Sequence, residues 1–125
     1  MADTDCLPTG SRRLYVTDRL TKQRFLVDTG SDLCCFPRAL LPYKRQPKNY
    51  SLSAANNLTI QTYGFLNLKL DFGLRRAFPW RFVIADVHLP IIGSDFLAHF
   101  DLLPDCRNKR LVDRKTGLIA SCQFL

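Results

Sequence analysis

Asp28 is the residue of this sequence that is best placed to do chemistry. It follows the apolar run Phe25-Leu26-Val27 and precedes Thr29-Gly30-Ser31, so a carboxylate enters a tight glycine turn between hydroxyl groups. Burying an ionised carboxylate without partners is very costly. Its position after an apolar strand therefore indicates a functional site rather than packing. The chemistry that a positioned carboxylate supplies is general acid–base catalysis.

A second segment, Pro90-Ile91-Ile92-Gly93-Ser94-Asp95, places an apolar pair before a glycine and a short helix. This segment is predicted to cover the Asp28 loop from behind. A lone Asp-Thr-Gly is most often a hydrogen-bonded turn. Apolar runs on both sides of the motif, together with the Ile-Ile-Gly segment about sixty residues further on, favour a functional loop here.

Short apolar runs separated by turn residues predict a mainly-β, barrel-like domain. The clearest alternation of apolar and polar residues covers residues 66–72. Strands are predicted at residues 13–17, 23–27, 33–36, 50–54, 58–62, 66–72, 80–85, 91–92, 110–112 and 118–120. A helix is expected over residues 95–100, with Ser94 as its N-cap.

The motifs Asp28-Thr29-Gly30-Ser31 and Ile91-Ile92-Gly93 together resemble those of aspartic proteases of the retropepsin type (peptidase A2). Residues 52–60, 62–64, 82–87 and 93–97 are similar to proteases of Gypsy-type LTR retrotransposons, so the resemblance covers roughly residues 12–113. It implies a mainly-β, single-domain retropepsin-like (acid protease) barrel with a flap hairpin and one short C-terminal helix.

The resemblance also implies roles for individual residues. Those expected in catalysis are Asp28, Thr29 and Gly30, and those expected to bind substrate are Ser31, Asp32 and the flap-tip residues Ala55, Asn56 and Asn57. Ile92 and Gly93 are expected to give structural support. The Ser31 hydroxyl is expected to donate to the catalytic carboxylate. Separately from the resemblance, strand position predicts that specificity pockets involve Leu33, Ile60, Ile84 and Leu89 or their neighbours.

Carboxylate-driven peptide hydrolysis needs two carboxylates, and the chain holds a single Asp-Thr-Gly. A homodimer that contributes one Asp28 from each subunit is therefore expected. The implied function is an aspartic endopeptidase that processes a retrotransposon polyprotein, with an extended polypeptide as substrate and no cofactor. The alternative is a catalytically decayed or domesticated dimerisation module, which Asn57 favours because relatives generally carry glycine at that flap position.

The 125 residues are expected to form one domain over 11–113, with a flexible lead-in at 1–10 and a terminal strand or linker remnant at 114–125. The net charge of +7 predicts weak attraction to nucleic acid, but no aromatic-interleaved basic motif indicates specific binding. No membrane partner is expected. The predicted setting is cytoplasmic, within virus-like particles if the polyprotein function holds, and the five cysteines are expected to be small buried hydrophobes.

Overall fold

The computed structural model describes residues 13–42, 51–53 and 59–124. Within these residues the chain forms eleven strands, one α-helix and one 3-10 turn, Arg38–Leu40. In chain order the elements are β1 (Leu14–Thr17), β2 (Arg24–Val27), β3 (Cys35–Pro37), β4 (Ser51–Ser53), β5 (Thr59–Leu70), β6 (Phe78–Ala85), β7 (Ile91–Ile92), α1 (Ser94–Phe100), β8 (Leu102–Asp105), β9 (Arg110–Asp113), β10 (Ile119–Ser121) and β11 (Gln123–Phe124). The prediction of a mainly-β domain with one short helix is confirmed.

Eight of the strands form one sheet in the order β11-β1-β2-β7-β3-β6-β5-β4, and β10-β9-β8 form a second sheet. Most neighbouring strands are antiparallel, but β7 pairs in parallel with β2, and β6 pairs in parallel with β3. The two-residue strand β7 therefore lies between β2 and β3, and it meets the end of β2 where the Asp28 loop begins.

An aromatic core anchors α1 to strand β6. Phe78, Phe82 and Phe96 are fully buried. The ring centroids of Phe78 and Phe96 are 5.9 Å apart, and those of Phe96 and Phe100 are 4.8 Å apart. Buried aromatic side chains contribute large apolar areas to a core. This packing fixes the helix that follows β7 against the sheet that carries the Asp28 loop.

A buried ion pair joins the second sheet to the end of the helix. Asp113 is fully buried, and its two carboxylate oxygens accept hydrogen bonds from Arg76 Nε and Nη2, each at 2.9 Å. Arg76 Nη2 also donates to the carbonyl of Phe100 at 2.7 Å. Burial alone would raise the pKa of Asp113, but the hydrogen bonds from Arg76 and from the Lys115 N–H outweigh it and lower that pKa.

Two predicted elements differ from the structure. The runs 58–62 and 66–72 belong to the single strand β5, because the pairing with β6 shifts between Thr62 and Phe65 around Gly64, whose φ is 102°. This positive φ lets the strand continue through an irregularity instead of ending. The helix begins at Ser94 with Gly93 as its N-cap, and no side chain caps it, so Ser94 is not the cap.

The cysteine prediction is correct for three residues and wrong for one. Cys34, Cys35 and Cys122 are buried free thiols, whereas Cys106 is exposed in the turn after β8. Cys6 lies outside the described residues. In the described part of the chain, no helix has the length and apolar character that a membrane crossing requires.

Candidate active site

The end of β2 delivers Asp28 to the surface beside β7. Phe25 and Leu26 are buried in β2, and Asp28, directly after the strand, is half-buried. The Asp28 N–H donates to the carbonyl of Ile92 at 2.9 Å, which continues the parallel pairing of β2 with β7 by one residue. The backbone of Asp28 is therefore fixed by a strand more than sixty residues away.

Hydrogen bonds within the loop orient the Asp28 carboxylate. The Gly30 N–H donates to Asp28 Oδ1 at 3.0 Å, and the Ser31 N–H donates to the Asp28 carbonyl at 3.1 Å. This is an Asx-type turn in which the side chain holds a backbone amide two residues ahead. Thr29 and Gly30 are exposed at its tip. A carboxylate held in this way has a fixed direction and remains accessible.

The start of α1 closes on the loop from behind, where the sequence predicted that Ile92 and Gly93 would lie. The Ser94 N–H donates to the Ser31 carbonyl at 2.7 Å. A Cβ added at Gly93 would lie 2.6 Å from the Leu33 carbonyl oxygen and 2.7 Å from that of Ser31. Only a glycine therefore fits between the helix and the loop without displacing backbone.

Ser31 and Asp32 follow Gly30 in the loop. The Ser31 hydroxyl donates to the Leu33 carbonyl at 2.8 Å, so the expected bond from this hydroxyl to the carboxylate is wrong. A serine hydroxyl has one hydrogen to donate, and here that hydrogen closes the loop's own backbone. The Asp32 side chain is exposed.

The predicted flap-tip residues Ala55, Asn56 and Asn57 fall in the stretch 54–58, outside the described residues. The strands on either side of this stretch are paired. β4 runs antiparallel to the start of β5, with Ser53 opposite Thr59 and Ser51 opposite Gln61. The described strands thus match the hairpin arms that the sequence predicts.

An open cavity of about 650 Å³ adjoins the carboxylate. Its wall combines Asp28 and Thr29 with the apolar side chains of Leu89 and Ile91 and with the cation of Arg13. Such a wall can hold an apolar side chain close to a carboxylate. Leu89 was among the residues predicted for specificity pockets. Ile84, predicted with it, is fully buried and does not line a cleft.

Sequence reasoning missed the contribution of the chain beyond the helix. Pro104 in β8 and Cys106 in the following turn line the same cavity. Neither residue stands in a pattern that indicates a strand, because Pro104 lacks an amide hydrogen and polar residues surround Cys106. β8 pairs with β9 in the second sheet, so these two residues reach the cavity from a different sheet than the one that carries the Asp28 loop.

Comparison with known proteins identifies the fold. No protein-family model matches the sequence, and no curated protein matches it with significance. The retroviral protease-like domain of Ddi1 from Leishmania major superimposes with a TM-score of 0.62 at 15% identity, covering 89% of this chain and 94% of that domain. The EIAV protease, solved in complex with the inhibitor HBY-793, superimposes with a TM-score of 0.53 at 19% identity, covering 71% and 86%. The chain therefore has a retropepsin-like, aspartic protease-like fold.

Proposed function

We propose that this protein is an aspartic-type endopeptidase whose active site forms when two copies of the chain meet. The observation that carries the proposal is the Asp28-Thr29-Gly30 turn, exposed at the end of β2 and braced by Ile92, Gly93 and Ser94 within a retropepsin-like fold. In this proposal the Asp28 carboxylates of the two subunits face each other across a two-fold axis.

The catalytic step follows from placing two carboxylates side by side. Like charges at close range cannot both ionise, so the pair shares one proton. The ionised Asp28 takes a proton from water while the water oxygen bonds to the carbonyl carbon, and the protonated Asp28 donates its proton to the carbonyl oxygen of the peptide bond. When the tetrahedral intermediate collapses, its C–N bond breaks and the Asp28 that holds the proton from water donates it to the leaving amine. The other Asp28 takes a proton from a hydroxyl of the intermediate, so the pair again shares one proton.

The neighbouring residues have distinct proposed roles. Thr29, exposed at the tip of the turn, would keep the two loops in register across the axis. Gly30 leaves room at the carboxylate for the substrate backbone, whereas a Cβ there would lie 3.3 Å from Asp28 Oδ1 and crowd it. Asp32 and the 55–57 hairpin tip would hold an extended peptide by main-chain hydrogen bonds, and closure of that tip would exclude water.

The substrate class follows from the sequence resemblance. The similarity to Gypsy-type LTR retrotransposon proteases supports a polyprotein as the natural substrate, cut between apolar residues. The apolar wall formed by Leu89 and Ile91 beside Asp28 suits such side chains. Processing would then take place in the cytoplasm, inside virus-like particles.

Mixing parent and Asp28→Asn chains tests both the catalytic residue and the dimer. Asp28→Asn alone is expected to abolish cleavage of casein or of an apolar peptide while leaving sedimentation unchanged. In mixtures that exchange subunits, activity is expected to fall with the square of the parental fraction, because both subunits must supply Asp28. The matched control is Asp101→Asn, which replaces an exposed aspartate beyond the helix and is expected to keep full activity.

Two outcomes would overturn the proposal. A linear fall in activity on mixing would show that each chain acts alone. A dimer that neither cleaves peptides from pH 3 to 7 nor binds pepstatin would instead identify a non-catalytic dimerisation module, the alternative that Asn57 favours.

A further inference from the structure

A buried thiol lies directly behind the Asp28 loop and makes hydrogen bonds on two sides. Cys34 is 1% exposed. Its Sγ accepts a hydrogen bond from the Gly93 N–H at 3.3 Å and donates to Asp95 Oδ1, also at 3.3 Å. The thiol therefore links the end of the loop to the first turn of α1, across 61 residues of sequence.

The Asp95 carboxylate collects hydrogen bonds from three parts of the chain. Besides the Cys34 thiol, Oδ1 accepts the Phe96 N–H at 2.7 Å, and Oδ2 accepts the Trp80 indole N–H at 3.2 Å. The Trp80 ring packs edge-on against Phe96, with centroids 5.6 Å apart. One carboxylate thus ties the loop, the helix and strand β6 together.

The protonation state of the thiol fits its role as a donor. Burial, the largest effect, raises the pKa of Cys34 well above its ordinary value; the Gly93 N–H opposes this rise and the Asp95 carboxylate reinforces it. The thiol therefore keeps its proton through neutral and mildly alkaline pH. A protonated thiol beside a carboxylate donates to it, in agreement with the geometry.

We propose that Asp95 is a positioning residue for Asp28, acting through the Cys34 thiol and anchored by the Trp80 indole. This inference rests on the proposed function, in which Asp28 is catalytic. The path from Cys34 to the site is short, because the neighbouring Leu33 carbonyl accepts the Ser31 hydroxyl at 2.8 Å and the Ser31 carbonyl accepts the Ser94 N–H at 2.7 Å. The Cys34 carbonyl also accepts the Val83 N–H at 3.0 Å, so loss of the thiol bonds leaves Cys34 attached to β6 but loosens the loop against α1, and with it the direction of the carboxylate.

Three substitutions break the network at different points. Asp95→Asn keeps the shape of the side chain but turns an amide donor toward the Trp80 N–H. Trp80→Phe removes only the indole donor and keeps a ring against Phe96. Cys34→Ala removes the thiol, whereas Cys34→Ser restores a donor and is expected to recover part of the loss. Asp101→Asn, at the other end of the same helix, is the matched control.

Two measurements are made on each purified full-length variant. The first is amide hydrogen exchange of the 28–34 segment, which does not depend on activity. Loss of a hydrogen bond to a charged group shifts a local opening equilibrium by about tenfold to a hundredfold, so exchange is expected to rise by that factor in Asp95→Asn and Cys34→Ala. The second is peptide cleavage, where kcat is expected to fall by about tenfold while KM changes little.

Each outcome decides a separate question. If exchange of the 28–34 segment is faster in Asp95→Asn and Cys34→Ala but the parent cleaves no peptide, the proposed function is refuted and the bracing of the loop by Asp95 still holds. Unchanged exchange in Asp95→Asn and Cys34→Ala would overturn the positioning role, whatever the activity. Exchange that rises equally throughout the chain, or equally in Asp101→Asn, would overturn it as well. A loss that Cys34→Ser does not recover would show that the thiol is not the link.

Discussion

Gly93→Ala tests how closely the helix must approach the Asp28 loop. The φ of Gly93 is −93°, a value that alanine adopts without strain, so any effect comes from space alone. The added Cβ would lie 2.6 Å from the Leu33 carbonyl oxygen, whereas real Cβ contacts stay beyond 3.0 Å and are comfortable from 3.4 Å. The loop must therefore retreat by about 0.4–0.8 Å.

That displacement has a cost in both stability and activity. Overpacking of this kind lowers the free energy of unfolding by about 1–3 kcal/mol. Alanine also lowers the entropy of the unfolded chain, which raises the free energy of unfolding by about 0.4–1 kcal/mol. The net loss of about 1–2 kcal/mol corresponds to a fall in Tm of about 4–8 °C. A misplacement of about 1 Å at a reacting group costs about a hundredfold in rate, so kcat is expected to fall about tenfold.

Calorimetry and peptide cleavage measure the two effects, and Gly117→Ala is the control. Gly117 has a φ of +79° with nothing within 4 Å of an added Cβ, so alanine there costs about 1–2 kcal/mol of backbone strain. It is expected to lower Tm without changing kcat. If Gly93→Ala kept the parental Tm and kcat, or if Gly117→Ala lost kcat to the same extent, the close approach of the helix to the loop would not determine stability or catalytic rate.

Two further predictions concern the frame around the site. Arg76→Met leaves the buried Asp113 carboxylate without its cation and is expected to destabilise the fold by about 3–5 kcal/mol, measured by urea unfolding. Because folding lowers the pKa of Asp113, the ion pair contributes its full stability above the unfolded pKa of about 3.9 and loses that contribution as pH falls through the folded pKa. If Arg76→Met lost as much stability as the parent in an acid titration, the pairing would be contradicted. The exposed Cys106 is expected to react with iodoacetamide in the native protein. Burial raises the pKa of Cys35 to about 11, so Cys35 is expected to react only on unfolding. Equal labelling of both cysteines by mass spectrometry would contradict the burial of Cys35.

The sequence predicts those parts of the fold that a short segment specifies by its residue types and by its order of apolar and polar residues. The turn at Asp28 is predictable because an apolar run, a carboxylate and a glycine occur in succession. The long strand β5 is largely predictable because residues 66–70 alternate between apolar and polar. The position of Ile91–Ile92 beside β2 also agrees with the predicted cover of the loop.

Other elements leave weaker traces in the sequence. β8 contains Pro104 and ends at an aspartate, so neither strand propensity nor alternation marks it. β11 has only two residues, and its pairing with β1 defines it. The hydrogen bonds of Cys34 depend on Asp95, 61 residues away, and no local pattern encodes such a contact. Elements that tertiary pairing alone creates are the ones that sequence reasoning misses.

The pairing of β2 with β7 has a consequence for synthesis of the chain. The Asp28 amide binds the Ile92 carbonyl, and the loop after Asp28 binds the Ser94 amide, so the turn that carries the acid is completed only by residues from much later in translation. Contacts of such sequence separation form slowly, because closure of a long loop precedes them. The local turn between Asp28 and Gly30 needs no later residue, but the backbone that carries it takes its final position only after the segment through Ser94 has emerged from the ribosome.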